Sequence, residues 1–180
     1  VLCTATQPVL GDIFKRFGWS ENIPELCLGT QALYEKFRRV SFRNAGGLSN
    51  EMLAGELKNS RQVLCIVNSR RAAQEIYDML PKEGSYHLST LMYPAHRQRV
   101  LNEIRQRLKE GAVCRVLSTS LIEAGVDVDF PTVYREMAGL DSILQAAGRC
   151  NREGRRSSVE STVTIFKSEH KSHSLIGSNI

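Results

Sequence analysis

Residues 61–81 read Arg-Gln-Val-Leu-Cys-Ile-Val-Asn-Ser-Arg-Arg-Ala-Ala-Gln-Glu-Ile-Tyr-Asp-Met-Leu-Pro, a short apolar run followed by an amphipathic segment. The apolar middle of 61–68 is typical of a strand that is buried on both faces of a sheet. Ser69 is a favourable N-cap for a helix whose apolar residues recur at i, i+4 and i+8, and Pro81 would end that helix. The stretch therefore predicts a strand that leads directly into a helix.

The same alternation of apolar runs and helical patterns continues along the chain. Pro94 and Gly111 stand where the start and the end of a long helix are expected. Further strands are predicted at 86–90, 113–117, 132–137 and 161–166, and a short helix at 141–150. This order of elements predicts an α/β fold, with a parallel sheet flanked by helices.

The 180 residues are enough for one domain with a piece of a neighbouring one. We expect 1–40 to be the end of a preceding domain and a connection, because 8–17 has a helical pattern and 43–47, with two glycines, is a candidate loop or linker. We expect 41–166 to be the main domain and 167–180, which is rich in Ser, His and Lys, to be a mobile tail or the start of a linker. The first residue is Val1, which fits the cut end of a longer chain.

Charge and cysteine usage narrow the class of protein. Lys and Arg total 24 against 19 acidic residues, a net charge of +5 that favours a polyanionic partner such as nucleic acid. The five cysteines are widely spaced and form no CxxC pair, so we expect reduced core thiols in a cytoplasmic protein. No metal site is predicted, and no apolar run reaches the roughly 18 residues that a membrane helix requires.

Residues 145–156, Gln-Ala-Ala-Gly-Arg-Cys-Asn-Arg-Glu-Gly-Arg-Arg, are the strongest indication of chemistry. Gln145, Arg149 and Arg152 are spaced i, i+4 and i+7, which would place them on one helical face. Gly148 beside them would weaken a helix, unless a backbone approaches closely there. Two guanidinium groups on one face suit a phosphoryl group. The alternative is a solvated basic helix end. The phosphate interpretation requires that both arginines project toward a neighbouring lobe. It falls, together with any function inferred from it, if Arg149 and Arg152 turn toward local carboxylates or away from the exposed ends of the parallel strands.

A second candidate segment is 116–127, where an apolar strand runs into Ser-Thr-Ser. Ser120 and Glu123 could form a capping box at the start of a helix. The carboxyl end of a strand followed by a helix start is where α/β folds bind anions, so Thr119 could hold a nucleic-acid phosphate. Gly125 would allow a tight turn, and Asp127 could accept a hydrogen bond from a ribose hydroxyl. A plain helix cap with a structural aspartate explains this segment equally well.

Two weaker features complete the set. Thr4 and Thr6 follow a short apolar run, so their hydroxyls would lie at the carboxyl edge of a sheet. The long helix that begins at Pro94 is rich in arginine, which more often marks a solvated face than a binding patch. Arg97, at the start of this helix, is the exception that merits a test.

Together these segments resemble the motifs of superfamily 2 helicases. Thr4-Ala-Thr6 is similar to motif III, 68–70 (Asn-Ser-Arg) to motif IV, 118–127 to motif V, and 145–152 to motif VI. The resemblance covers most of residues 1–156. It implies a RecA-like fold of the P-loop NTPase type, with this chain as the second, or C-terminal, helicase domain.

A closer resemblance is to the CRISPR-associated helicase–nuclease family of type I systems. Three stretches carry it: 87–97, 119–127 and 147–154. The family implies an ATP-dependent motor on single-stranded DNA that is recruited to an RNA-guided surveillance complex and acts with a nuclease domain. On this resemblance Arg149 and Arg152 would reach the γ-phosphate and Gln145 would help to position it, and Gly125, Asp127 and Gly148 would approach the nucleotide. The DNA track or the coupling between the two halves would involve Thr4, Thr6, Asn68, Ser89, Arg97 and Thr119.

The 180 residues contain no G-x-x-x-x-G-K-[ST] phosphate loop, no Asp-Glu pair for magnesium and no histidine–aspartate nuclease motif. ATP and Mg²⁺ would therefore need a preceding RecA-like domain, and we expect negligible ATPase from this chain alone. Three alternatives remain: a superfamily 2 helicase of RNA metabolism or DNA repair, a non-catalytic nucleic-acid-binding RecA-like module, and a structural α/β domain without a ligand.

Overall fold

A computed structural model of the chain describes residues 16–18, 29, 32, 35–122 and 126–169. The chain divides into two compact units, residues 1–38 and 39–180, and the sheet lies in the second. The predicted helix at 8–17 lies almost entirely outside the described residues, as do Thr4, Thr6, Gly125 and, of the tail expected at 167–180, the residues from 170 onward. Lys167 and Ser168, which were expected in that tail, lie instead at the end of the strand Thr162–Ser168.

Six strands form one parallel sheet in the spatial order β1-β6-β5-β2-β4-β3. This arrangement confirms the predicted α/β fold. The elements in chain order are β1 Ser41–Leu48, α1 Asn50–Asn59, β2 Gln62–Ile66, α2 Arg70–Met79, β3 Ser85–Leu88, α3 Pro94–Lys109, β4 Cys114–Ser118, a 3₁₀ turn Ser120–Ile122, β5 Thr132–Glu136, α4 Leu140–Ala147 and β6 Thr162–Ser168.

Strand β2 lies inside the sheet, and all five of its residues are buried. Val63 and Cys65 pack into a core with α1 and α2, whereas Leu64 and Ile66 pack into a second core with α3 and α4. This alternation follows from the pleat, because successive side chains of a strand point to opposite faces. The continuous apolar run in the sequence therefore reflects two helix layers, one on each face of the sheet.

The predicted helix signals of α2 and α3 are confirmed. Ser69 caps α2, with its hydroxyl oxygen accepting the amide of Ala72 at 3.4 Å. Pro94 is the first residue of α3, where its missing N–H leaves no intrahelical bond unmade. Gly111, with φ +67°, follows the end of α3 in the left-handed conformation that glycine adopts freely.

The predicted loop at 43–47 is wrong, because these residues lie within the edge strand β1. The strand pairs with β6, and its register shifts between Asn44 and Gly46. Gly46 has φ +69°, and its amide donates to Oδ1 of Asn44 at 3.0 Å. A bulge of this kind accepts glycine and is common at sheet edges, so the Gly-Gly pair belongs to a bulged strand. Helix α1, which follows β1, was not predicted either.

The cysteines that the structure describes match the expectation of reduced core thiols. Cys65, Cys114 and Cys150 are buried free thiols. Burial is the largest cause that raises the pKa of each thiol, and it brings that of Cys114 and of Cys150 to about 12. A thiol with so high a pKa stays protonated and unreactive at neutral pH. None of the helices in the described part of the chain is long and apolar enough to span a membrane.

Candidate functional site

The carboxyl ends of β2, β3 and β4 bring three predicted nucleic-acid residues to the same edge of the sheet. Asn68, Ser89 and Thr119 each follow one of these strands, and β4 pairs with both of the others. Ser89 and Thr119 are largely buried, with 9% and 8% of their surface exposed. Carboxyl ends of parallel strands are the usual place for ligand binding in such sheets.

A cavity of about 550 Å³ opens at this edge beside the start of α2. Arg70 and Arg71 line it, and both side chains are exposed. Arg71 also pairs with Glu75 one turn later, at 2.8 Å. Two exposed guanidinium groups and a helix start give this cavity a positive character suited to phosphate oxygens. Its other lining residues are Ser69, Gln74, His87, Ser89 and Leu91.

Asn68 does not point its amide into this cavity. Its side-chain Nδ2 donates to the carbonyl of Met137 at 2.9 Å, and its Oδ1 accepts from Nη1 of Arg135 at 2.7 Å. Its backbone amide donates to Oε2 of Glu136 at 2.6 Å. Both ends of the Asn68 amide are therefore engaged within the domain, although the residue is exposed.

The predicted helical face of Gln145, Arg149 and Arg152 is wrong, because α4 ends at Ala147. Gln145 lies on the exposed side of α4. Gly148 is the C-cap, with φ −64°, and a Cβ there would lie 3.3 Å from the carbonyl oxygen of Gln145. Arg149 and Arg152 therefore belong to the turn that follows α4, not to the helix.

The segment after α4 is held at the amino end of β5. Cys150 forms a parallel bridge with Phe130, just before β5. The backbone amide of Arg152 donates to Oδ1 of Asp129 at 2.7 Å. Arg152 thus lies at the amino edge of the sheet, opposite to the edge that carries Ser89 and Thr119.

The two arginine side chains have different surroundings. Arg149 is buried, and its Nε donates to the carbonyl of Ile122 at 3.1 Å. Arg152 is 43% exposed, and its Nε lies 2.8 Å from Oδ1 of Asp127. Arg152 thus contacts a local carboxylate, whereas Nε of Arg149 donates to a backbone carbonyl. The condition set against the phosphate interpretation and the function inferred from it, that both arginines turn to local carboxylates, is met by Arg152. The arrangement of the arginines alone does not identify a nucleotide site.

The loop after β4 also differs from the expected helix start. The structure has a 3₁₀ turn at Ser120–Ile122, and Glu123 of the predicted capping box lies outside the described residues, as does Gly125. Asp127, predicted to approach a ribose, is exposed. Its backbone carbonyl accepts from Nε of Arg105 at 3.0 Å.

Comparison with known proteins decides the family. The family model of the C-terminal part of the CRISPR-associated nuclease/helicase Cas3 matches residues 59–155. The chain belongs to the Cas3 C-terminal family. The matched region contains the candidate site residues described above, from Asn68 to Arg152.

Two curated Cas3 nuclease/helicases show the same relationship. The protein from Methanothermobacter thermautotrophicus is 31% identical over 122 residues, which is 66% of this chain and 15% of that protein. The protein from Haloferax volcanii is 51% identical over 61 residues, which is 33% of this chain and 6% of that protein. The chain therefore spans less than a fifth of the length of either relative.

Solved structures confirm the RecA-like fold. Cas3 of T. fusca with ATP has a TM-score of 0.59 at 17% identity, over 74% of this chain and 18% of that one. The Mycobacterium smegmatis helicase Lhr bound to ssDNA and AMP-PNP has a TM-score of 0.54 at 18% identity, over 71% of this chain and 20% of that one. At these identities the likeness concerns the fold of the Cas3 domain.

The electrostatics of the arginine turn in this Cas3 domain follow from burial and neighbouring charges. Burial lowers the pKa of the Arg149 guanidinium, and the positive charge of Arg152 lowers it further, whereas Asp127 raises it. Since the ordinary pKa of arginine is above 12, Arg149 keeps its charge at neutral pH. Among the residues that the structure describes, no group of three or more His, Cys, Asp or Glu side chains could hold a metal ion.

Several residues that organise the Cas3 domain were missed in the sequence. Arg135 is a buried cation inside strand β5, with 3% of its surface exposed. The available signal was a lone arginine in an otherwise β-rich run. Asp129 binds the arginine turn, but an aspartate before a strand is too common to single out. Arg71 was also missed, because only the cavity that it lines with His87 of β3 singles it out; Arg70, in the same cavity, was part of the stretch that resembles motif IV.

Proposed function

We propose that this chain is the helicase C-terminal domain of an ATP-dependent translocase on single-stranded DNA, which acts with a nuclease in CRISPR antiviral defence. The observation that carries this proposal is the Cas3 family match over 59–155, which includes the segments around Thr119, Asp127, Gln145 and Arg152. In the proposed assembly a preceding RecA-like domain binds ATP with Mg²⁺, a nuclease domain cuts the DNA, and an RNA-guided surveillance complex recruits the cytoplasmic protein.

The nucleotide would approach the amino edge of the sheet, where Gln145, Asp127 and Arg152 are exposed. At the surface these residues offer an amide, a carboxylate and a guanidinium, which can form hydrogen bonds with the hydroxyl and phosphate groups of a nucleotide. ATP would supply the bond that is hydrolysed. On nucleotide binding, the Arg152 guanidinium would leave the Asp127 carboxylate and contact a phosphate oxygen instead. The Asp127 carboxylate could then accept a hydrogen bond from a hydroxyl group of the nucleotide. An arginine supplied in this way stabilises the charge that develops on the transferred group.

Single-stranded DNA would run along the carboxyl edge of the sheet. The cavity beside α2 offers two exposed arginines, and Ser89 and Thr119 offer hydroxyls at the ends of β3 and β4. Arg97 lies in the first turn of α3, just after β3. Cationic side chains along one edge would bind phosphates without reading sequence.

Replacement of Arg152 in the full-length protein tests this proposal. We expect Arg152→Ala to reduce DNA-stimulated ATP turnover by about 10³-fold or more, with ssDNA affinity within about threefold of the wild type. Arg99→Ala is the matched control, since Arg99 is an exposed arginine on α3. An arginine patch without a catalytic role would instead weaken ssDNA binding and flatten its salt dependence, and that result would contradict the motor function.

A further inference from the structure

The loop after β2 is joined by hydrogen bonds to the end of β5 and to the loop that follows it. Asn68 makes all three of the bonds described: its Nδ2 donates to the carbonyl of Met137, its Oδ1 accepts from Arg135, and its backbone amide donates to the Glu136 carboxylate. Strands β2 and β5 are neighbours in register up to the pair Ile66 and Arg135. The bonds of Asn68 therefore extend the contact between β2 and β5 beyond the backbone hydrogen bonds of the sheet, as far as Met137 in the loop after β5.

Arg135 supplies the charge at the centre of this junction. Arg135 is 3% exposed. Its Nη1 donates both to Oδ1 of Asn68 at 2.7 Å and to the carbonyl of Glu136 at 2.9 Å. A buried guanidinium is costly unless hydrogen bonds satisfy it, so the two bonds of Nη1 favour this position of the side chain. Hydrogen bonds to a charged group are also stronger than those between neutral groups.

The two joined loops lead to different parts of the proposed site. The loop after β2 continues into Ser69 and Arg70, which line the positive cavity proposed for DNA. The loop after β5 continues into α4, which carries Gln145 and is followed by the arginine turn. The hydrogen bonds of Asn68 thus form a short physical connection between these two parts.

We propose that Arg135 and Asn68 form a clamp that couples DNA binding at the carboxyl edge to ATP turnover at the opposite edge. Arg135 is a positioning residue, and Asn68 acts through its bonds to the β5 loop rather than as a contact to DNA. This inference rests on the proposed function, since it assigns a linkage between the two sides of that site.

The experiment measures ATP turnover of the full-length protein without DNA and across a titration with ssDNA, together with ssDNA affinity and thermal stability. The variants are Asn68→Ala, Arg135→Met, Arg135→Lys and the double variant Asn68→Ala/Arg135→Met. Asn59→Ala is the control, because Asn59 is an exposed asparagine at the end of α1, outside the junction. Asn68 is itself exposed, so its variant tests the clamp even where the Arg135 variants fail to fold.

We expect Asn68→Ala to lower the maximal stimulation by ssDNA about tenfold, with ssDNA affinity within threefold of the wild type. Arg135→Lys, which keeps the charge, should retain more stimulation than Arg135→Met. The double variant should lose no more stimulation than the more impaired single variant, because residues of one linkage are not additive.

Unchanged stimulation in Asn68→Ala overturns the clamp, and so does a parallel loss of unstimulated turnover, affinity and thermal stability, which would indicate a purely structural role. A loss confined to ssDNA affinity would also overturn it, since Asn68 would then be an ordinary DNA contact. If the wild-type protein shows no ssDNA-stimulated turnover, the proposed function fails together with the clamp. If ssDNA stimulates ATP turnover equally in the wild type and in the variants, the clamp is refuted but the proposed function is not.

Discussion

Nε of Arg152 lies 2.8 Å from Oδ1 of Asp127, in an ion pair whose side chains are 43% and 80% exposed. On the family resemblance both residues were expected to approach a nucleotide, with Arg152 reaching a γ-phosphate held by a preceding domain. In the structure the two side chains contact each other. An exposed pair contributes at most about 1 kcal/mol, so a phosphate group could displace the carboxylate at little cost. The backbone of the turn is held separately, because the Arg152 amide donates to Asp129.

The first prediction separates these two aspartates by their effect on stability. Asp127→Asn should change the free energy of unfolding by less than about 1 kcal/mol, because it removes only an exposed pair. Asp129 is 15% exposed as a side chain; its Oδ1 accepts the Arg152 amide at 2.7 Å, and its Oδ2 pairs with Arg156 at 3.1 Å. Asp129→Asn should therefore cost about 1–3 kcal/mol in urea denaturation. Equal costs for the two variants would refute this assignment.

The second prediction concerns Asn151, which closes the arginine turn. It is 1% exposed and has φ +46°, in the left-handed region. Its Nδ2 donates to the carbonyls of Arg39 at 2.8 Å and Arg156 at 2.7 Å, and its Oδ1 accepts the amide of Arg156 at 3.0 Å. Asn151→Ala loses all three bonds and keeps a strained backbone, so we expect a loss of about 3 kcal/mol.

Asn151→Gly provides the comparison, because glycine removes the same bonds but adopts a positive φ freely. It should be less destabilising than Asn151→Ala by about 1 kcal/mol. Asn59→Ala, at an exposed position, should stay within about 0.5 kcal/mol of the wild type. A glycine variant that is less stable than the alanine variant would show that the backbone conformation does not matter there.

Most of the parallel sheet and the helices on both faces could be predicted because their residues follow simple periods. β2 is apolar throughout, and α2 and α3 begin with a capping serine and a proline. β1 could not be predicted, since its Gly-Gly pair indicates a loop unless the neighbouring strand is known. Pairing with β6 supplies the stabilisation that the sequence of β1 lacks.

The candidate site could be predicted as a set of segments but not as a geometry. The spacing of Gln145, Arg149 and Arg152 is helical only if the helix continues past Gly148, and α4 ends one residue earlier. The helix ends there because Cys150 pairs with Phe130 and the Asn151 side chain donates to the carbonyl of Arg39. These are contacts between distant parts of the chain, which local periodicity does not report.

The third prediction tests the DNA track at Arg97. This residue lies in the first turn of α3, next to the carboxyl end of β3. If it binds one phosphate, Arg97→Ala should weaken ssDNA binding by the full-length protein and reduce the slope of log K against log salt by about 0.7. The matched control is Arg99→Ala, because a residue two positions along a helix points about 200° away. An unchanged slope in the Arg97 variant would remove this residue from the track.

The fourth prediction is a pH dependence that arises from His87. This residue is in β3, with its ring centroid 5.7 Å from that of Tyr77. Its Nε2 is buried and has no hydrogen-bond partner among the described residues. Burial lowers the pKa of His87 below its ordinary value of 6.5, although the charge of Asp78 raises it. The folded state therefore binds a proton at this site less readily than the unfolded chain.

Because the unfolded chain takes up the proton first, the free energy of unfolding should fall as the pH drops below 6.5 and should be insensitive to this group above it. His87→Phe keeps a ring against Tyr77 but cannot titrate, so its stability should fall less than that of the wild type between pH 7.5 and pH 5.5, a range of about one unit on either side of the ordinary histidine pKa. Urea denaturation at the two pH values measures the difference. Other groups titrate equally in both proteins, so only the difference between the two curves reports on His87. Parallel curves would mean that the buried Nε2 finds a partner when protonated, and the cavity beside α2 would then be more open to water than the structure indicates.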